Sequence, residues 1–319
     1  MVMGEKGLMS RVLCTKFGGY LTFGTLEHGK VSAPWQPTIR DLLDLFNFRQ
    51  LGSDKKVFGI IGKPVGHSKS PLLYNKAFRS VGFNGVYVHL LVDNVKNFLD
   101  TYSSIDFAGF RLSFIYIIGA RISVSRVDPV AKSIGAVNYA IRRPKDGTLY
   151  GCNTDYVGAI SVIEDSLRGF FLYFLLEVAF KNGATGSPLA GRLFVVIGAG
   201  GAGKALAYGA KAKGARIMIA NRTYDRAREL ADIIGGEAIS LADLSTYTPE
   251  GDDTPISKEA LKSYALVFDV VYTPKITRIL REAGECGAII VTGVMFIGQA
   301  YEQYERFTGL PGKKQEARE

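Results

Sequence analysis

Three observations in the amino-acid sequence predict an α/β fold of two domains. Short apolar runs alternate with helix-like segments along most of the chain, the pattern of sheets whose strands are joined by crossover helices. One run leads straight into a glycine-rich turn and an Ala-rich segment, and that strand–turn–helix order opens a dinucleotide-binding unit. The third observation is size. With 319 residues, 47% hydrophobic and 22% charged, the chain can fill two ordinary cores and leaves little case for disorder.

Residues 57–61 form a short apolar run closed by Gly62-Lys63-Pro64. A helix is expected from Ser70-Pro71, because proline in a first turn forfeits an N–H that has no helical partner anyway. Residues 86–91 predict a strand and 95–102 a helix. After Arg192 the run to 197 is continuously apolar and short, which suits a buried parallel strand. Helix 203–213, strand 215–220 and helix 226–234 follow, then strand 266–271, helix 276–283, strand 288–292 and a closing helix 296–307. Such alternation predicts parallel sheets with right-handed crossovers. Two stretches resist the pattern: 170–180 has no polar face, and 114–122 shows no amphipathic period.

No run reaches the roughly 18 to 20 apolar residues of a membrane-spanning helix; the longest, 170–180, is interrupted by Glu177. The N-terminus carries neither the charged–apolar–small layout of a secretory signal nor a Ser/Arg-rich transit segment. Cys14, Cys152 and Cys286 are too scattered for a disulfide scaffold or a metal site, so a reducing compartment and no metal are expected. The formal charge is +9, and nearly all of the surplus falls in residues 1–188. Without a Lys/Arg tract interleaved with aromatics, that surplus reads as a solvated face or a field that draws a small anion, not as a nucleic-acid surface.

Gly198-Ala199-Gly200-Gly201-Ala202-Gly203 stands directly after the 192–197 strand and before a helix. Glycines there let the backbone approach a pyrophosphate, whose charge rests on the unpaired N–H groups of the helix start. A Rossmann domain is therefore expected. The rival is a phosphate-binding GxxxxGK loop, but Ala205 stands where Ser or Thr would hold Mg²⁺. The second strand ends at Asn221-Arg222-Thr223, with Arg226 one turn later and no acid to grip a ribose 2′-hydroxyl. Arginine at that place suits a 2′-phosphate, which predicts NADP as cofactor.

Upstream stand Gly66-His67-Ser68-Lys69-Ser70-Pro71, Gly135-Ala136-Val137-Asn138 and Gly151-Cys152-Asn153-Thr154-Asp155. Each alone is turn chemistry. In this order, followed by the glycine turn, Val271-Tyr272-Thr273-Pro274 and Met295-Phe296-Ile297-Gly298-Gln299-Ala300, they resemble shikimate dehydrogenases over about residues 57–311. Residues 17–48, including Ser32-Ala33-Pro34-Trp35-Gln36, resemble the last βα unit of a type I dehydroquinate dehydratase barrel, although that family has glycine where Trp35 stands. The whole chain is thus similar to the C-terminal part of plant bifunctional enzymes that join the two activities.

That resemblance implies a two-domain shikimate-dehydrogenase-like fold. It consists of a barrel remnant over 1–50, an α/β substrate-binding domain over 51–157 with helix 295–311 packing back on it, and a Rossmann NADP-binding domain over 158–294. It implies shikimate or 3-dehydroshikimate as small-molecule substrate and no dehydratase activity. It also implies a chloroplast location, for which this chain shows no transit peptide. Ser68, Ser70, Ser113, Asn138, Asp155, Tyr272 and Gln299 are the implied substrate contacts. Gly198, Ala199, Gly200, Gly201, Ala202, Gly203, Asn221, Arg222, Thr223, Arg226 and Gly293 are the implied NADP contacts.

A catalytic lysine paired with Asp155 belongs to the same family pattern, and here it is replaced. After Gly109-Phe110 the family runs roughly Ser-x-Thr-x-Pro-x-Lys-Glu; in this chain Ser113 takes the threonine place and Ile117 the lysine place. Isoleucine moves no proton, so impaired turnover is expected. The family's Asn-x-Thr-x-x-Gly-Met segment, which supports the nicotinamide, is missing after Leu244, and Gly293-Val294-Met295 is one residue short. Three readings stay open: a shikimate dehydrogenase of weak turnover; a non-catalytic NADP- or shikimate-binding relative, or a chain with misplaced exon edges; and a quinate dehydrogenase.

Overall fold

Strands in the first half of the chain follow the two-residue period of a sheet buried on both faces. The computed structural model describes residues 4–27, 29–30, 32–33, 35–102, 104–113, 126–174, 186–244, 256–271, 274–293 and 295–311. Ile117, Tyr272 and the stretches 114–125, 175–185 and 245–255 lie outside the described residues. The chain divides into two compact units, Met1–Asn153 with Tyr304–Pro311, and Thr154–Gln303 with Gly312–Glu319.

The first unit is built on Lys56–Gly62 (β1), Gly85–Leu91 (β2) and Phe107–Leu112 (β3). Val57, Ile61, Val86, Val88, Phe110 and Leu112 share one core. Phe58 and Tyr87, one step out of phase, join Tyr74, Phe78 and Phe307 in a cluster whose ring centroids lie 4.4 to 6.1 Å apart. Gly109 makes room for this second layer: a methyl group there would lie 2.7 Å from Phe307 Cε1. Arg126–Val127 (β4), Tyr139–Arg142 (β5) and Leu149–Cys152 (β6) complete a sheet of order β2-β1-β3-β5-β6-β4.

The expected parallel pairing holds for β1 with β2 and β3, but β5 is antiparallel to both β3 and β6. The cause is local. Only residues 143–148 join β5 to β6, too few for a crossover. Gly147 sits at φ 67°, and the Thr148 N–H and hydroxyl both donate to Asp146 Oδ1, at 3.0 and 2.7 Å. Ahead of β1, Val12 and Leu13 at the end of the helix Leu8–Val12, together with Leu42, Phe46 and Leu51, pack into the same core as Val57. Tyr20, Leu21, Phe23 and Leu26 are exposed.

In the second unit, Leu193–Ile197 (β7), Arg216–Asn221 (β8) and Glu237–Ser240 (β9) form a parallel sheet of order β7-β8-β9, and Leu266–Phe268 (β10) pairs in parallel with Ile289–Val291 (β11). Leu266, Phe268 and Ile289 pack on the core that holds Val196, Ile217 and Ile219. The helix Asp155–Phe174 lays Ile160, Ile163 and Leu167 into that core. Against it runs the helix Gly201–Ala212, whose Gly209 is required by the approach: a methyl there would lie 2.6 Å from Ile160 Cγ1. The puzzling apolar stretch 170–180 therefore begins as the last turn of a long helix. Among the described residues no helix is long and apolar enough to cross a membrane. Helices Tyr224–Ile234, Arg278–Glu285 and Met295–Thr308 match the expected positions, while the 266–271 strand is shorter than expected.

Candidate functional site

In the first unit the ends of three strands and the start of a fourth share one edge of the sheet. Ile61 is level with Leu112, Arg111 with Tyr139, and Tyr139 with Cys152, so chain leaving β1, β3 and β6 emerges beside chain entering β5. Ligands bind at such carboxyl ends in open α/β sheets. Ser113, just past β3, donates its N–H to Ile61 C=O at 2.8 Å. Asn138 is clamped through its backbone on both sides: Leu112 N–H donates to its C=O at 2.8 Å, and its N–H donates to Cys152 C=O at 3.0 Å. Its side chain is buried, and Asn153 Nδ2 donates to Ala136 C=O at 3.1 Å.

Ser68 and Ser70 come from the turn after β1 and the first residue of the helix Ser70–Ser80. Their hydroxyls are 3.1 Å apart, and Ser70 N–H donates to Ser68 Oγ at 3.3 Å. The helix is pinned by Asn75, which is buried and donates from Nδ2 to Tyr87 C=O at 2.8 Å while accepting Tyr87 N–H at 2.7 Å. Beside it the Tyr74 and Tyr87 rings stack at 4.4 Å. Burial pushes both phenols above their ordinary pKa, against an opposing pull from the Arg111 guanidinium, so both stay neutral. His89 Nε2 meets Ser68 C=O at 2.8 Å. Because a carbonyl only accepts, that nitrogen carries the hydrogen, and burial holds the imidazole pKa below 6.5. Two adjacent hydroxyls with a buried amide on the same edge make a set of neutral hydrogen-bond donors and acceptors.

In the second unit, Gly198 (φ 108°) turns the chain out of β7 and donates its N–H to Ala220 C=O at 2.7 Å. Gly203 is buried, and a methyl group there would overlap Gly198 O. Only glycine closes this turn onto the strand. Gly200 caps the helix Gly201–Ala212 with no side-chain acceptor, so its first-turn N–H groups are not taken by a capping side chain. Asn221 ties the turn to β8: its Oδ1 accepts Ala199 N–H at 3.3 Å and its Nδ2 donates to Thr223 C=O at 2.9 Å. Arg222 and Arg226 are exposed at that strand end, and Gly293 is buried two residues past β11. A cradle that a Cβ would fill, beside two arginines and an amide, fits a dinucleotide carrying a 2′-phosphate.

Asp155 opens its helix, and both Asp155 and Gln299 are buried in the second unit. A methyl at Gly298 would lie 3.1 Å from Gly158 Cα, so the two helices touch glycine to glycine. One turn beyond Gln299, the fully buried Gln303 donates from Nε2 to Thr154 Oγ1 at 3.0 Å. The sequence reading passed over Gln303, although its i, i+4 spacing from Gln299 places both on one helix face. It likewise passed over Arg111 and Asn75, and for Asn75 no local pattern distinguishes it from a surface asparagine.

Comparison with known proteins supplies the frame for these two constellations. Residues 60–140 match the family model "Shikimate dehydrogenase substrate binding domain", 183–262 match "Shikimate / quinate 5-dehydrogenase", and 1–53 match "Type I 3-dehydroquinase". The bifunctional 3-dehydroquinate dehydratase/shikimate dehydrogenase, chloroplastic, of Arabidopsis thaliana is 61% identical over 99% of this chain, which spans 54% of that relative's length. The shikimate dehydrogenase (NADP(+)) of Methanosarcina acetivorans is 34% identical over 80% of this chain and 94% of its own. Among solved structures, a shikimate dehydrogenase in complex with NADP+ superposes with a TM-score of 0.68 at 28% identity, covering 82% of this chain and 93% of that one. The Thermus thermophilus enzyme in complex with NADP(H) and shikimate gives 0.66 at 30% identity, covering 81% and 95%.

Proposed function

The chain belongs to the shikimate dehydrogenase family, and from that premise we propose that it binds NADP(H) and shikimate or 3-dehydroshikimate and catalyses their interconversion with impaired turnover. The observation that carries this reading is the pairing, in one chain, of a closed glycine turn tied to an asparagine–arginine strand end with a sheet edge bearing two serine hydroxyls and a buried asparagine. Gly198 to Gly203 hold the pyrophosphate, and Asn221, Arg222, Thr223 and Arg226 the adenosine end with its 2′-phosphate. Ser68 and Ser70 receive the substrate carboxylate, and Ser113, Asn138, Asp155, Tyr272 and Gln299 its ring hydroxyls.

NADPH held by these residues would supply the hydride that reduces the C3 ketone. The alkoxide that forms needs one proton, and family members take it from a lysine paired with the aspartate at position 155. Ile117 stands at the lysine's place in the sequence and has no proton to deliver, while Asp155 orients the hydroxyl. General acid–base assistance is worth about 10²- to 10⁴-fold in rate, and impairment of that order follows. The same replacement supports a second reading, a relative that binds both ligands and reduces neither. Quinate, with one further ring hydroxyl, is the alternative substrate within the family model's own name. Residues 1–53 match the type I 3-dehydroquinase model, but among the described residues they form short helices and an isolated Thr25–Thr38 bridge in place of the expected βα unit, and no dehydratase activity is assigned to them. A plastid location follows the Arabidopsis relative.

Calorimetric titration with NADP+ and shikimate, beside an NADPH absorbance assay, tests the proposal. Binding of both with weak turnover is expected. Binding without detectable turnover favours the non-catalytic reading, and turnover equal to that of lysine-bearing relatives refutes the role given to position 117.

A further inference from the structure

Residues ahead of β1 reach the loop that carries Ser68 and Ser70. Trp35 holds a backbone φ of 59°, the left-handed region that bulky residues rarely adopt and glycine takes freely. The dehydratase pattern has glycine at this place, so the tryptophan stands against a conformational preference while its side chain is half exposed, at 52%. Its ring has a definite neighbour. A methyl group on Gly66 would lie 3.2 Å from Trp35 Cζ3 and 3.6 Å from Cη2. Gly66 is not among the glycines with positive φ, so what its missing side chain provides is the close approach of the indole.

A second contact comes from the same side. Glu5 Oε1, 3.7 Å from that methyl position, is buried without a hydrogen-bond partner among the described residues. His89 grips the loop two residues further on, donating to Ser68 C=O at 2.8 Å. The turn between β1 and the helix Ser70–Ser80 is therefore held at two points, by an indole at Gly66 and an imidazole at Ser68. Between these and Pro71 lie the two hydroxyls assigned to the carboxylate.

We infer that Trp35 is a positioning residue for the acid-binding serines: packed on Gly66, its ring fixes the 62–69 loop in the geometry in which Ser68 and Ser70 meet one carboxylate. The inference deepens the functional proposal and rests on its assignment of those serines. It predicts that affinity for the ring acid depends on a residue outside the shikimate dehydrogenase pattern, whereas NADP affinity does not. Trp35 is the chain's single tryptophan, so its fluorescence reports on this contact without labelling.

The test compares the full chain with Trp35→Gly and Trp35→Phe. Dissociation constants for shikimate and NADP+ are measured by calorimetry, and amide hydrogen exchange of residues 62–71 is measured without ligand. Trp35→Gly should weaken shikimate binding about tenfold, leave NADP+ binding unchanged and speed exchange in the loop. Its melting temperature should not fall, because glycine suits the left-handed backbone. Trp35→Phe should restore both affinity and protection to within about twofold, and tryptophan emission of the unaltered chain should change on shikimate binding. Unchanged shikimate affinity in Trp35→Gly overturns the inference, as does failure of phenylalanine to rescue. Should the unaltered chain bind no shikimate, the functional reading fails, and the exchange arm alone decides: loop protection that is the same with and without the indole overturns the positioning role.

Discussion

The turn at 198–203 and the loop at 62–69 both leave a parallel strand, both carry glycines and both lead into a helix, yet they are secured in different ways. The first is secured by its own glycines and one residue of the adjacent strand. Gly203 closes on Gly198, and Asn221, at the end of the next strand, accepts from Ala199. The loop at 62–69 is secured by distant ones: Trp35, His89 and, through the helix, Asn75 with Tyr87. A phosphate site made of backbone N–H groups needs little more than the correct turn. A site that distinguishes hydroxyl patterns needs side chains from many places held in register. The first can therefore survive whole where the second loses a member, which is the loss proposed at Ile117.

The largest effect to separate the two regions is on turnover. Ile117→Lys should raise kcat, by up to about 10²- to 10⁴-fold, without reaching the rate of the lysine-bearing relatives, because the segment after Leu244 is also missing; NADPH absorbance measures it. Complete recovery would show that segment to be dispensable. Next, Gly203→Ala should cost roughly 1–3 kcal/mol by overpacking against Gly198 and abolish NADP+ binding. Thermal unfolding and calorimetry read both, and a tolerated alanine would remove the turn from the site. Asn221→Ala withdraws one acceptor and should weaken NADP+ by about 1 kcal/mol, roughly fivefold, with shikimate affinity unchanged. A matching loss for shikimate would mean that the two sites are less independent than their construction indicates.

The smallest effect concerns pH and the first unit only. Burial holds the folded His89 pKa below its free value of 6.5. As pH falls past 6.5 the unfolded chain takes up a proton before the folded one does, so stability present at neutral pH is lost between 6.5 and the lower folded pKa. Chemical denaturation at pH 7.5 and 5.5 should show this loss, and His89→Gln should reduce it. A pH dependence unaltered by that substitution would place the titrating group elsewhere.

Much of this could be read along the chain. Residues 192–197 followed by glycines, and Arg222 where an acid would select NAD, stated the second unit's ligand because a tight turn and a helix start are demands on neighbouring residues. The Ser68, Asn138 and Asp155 motifs were legible as a set, although each is ordinary turn chemistry alone. The β5–β6 hairpin was missed in spite of its Pro144-Lys145-Asp146-Gly147 turn signal, because alternation elsewhere pointed to parallel strands only. Gln303 was missed because a glutamine on an amphipathic helix looks the same whether it faces water or Thr154.

By itself, then, the sequence determined the class of fold, the glycine turn, and the Asn221-Arg222 strand end that favours a 2′-phosphate, since each depends on local residue order. The tertiary structure alone decided that Asn138 is clamped between β3 and β6, that Asn75 fastens a helix to β2, and that Trp35 lies on Gly66. Those contacts join residues separated by many positions. Their existence depends on which faces the packed core turns together, a property of the folded chain that no local spacing encodes.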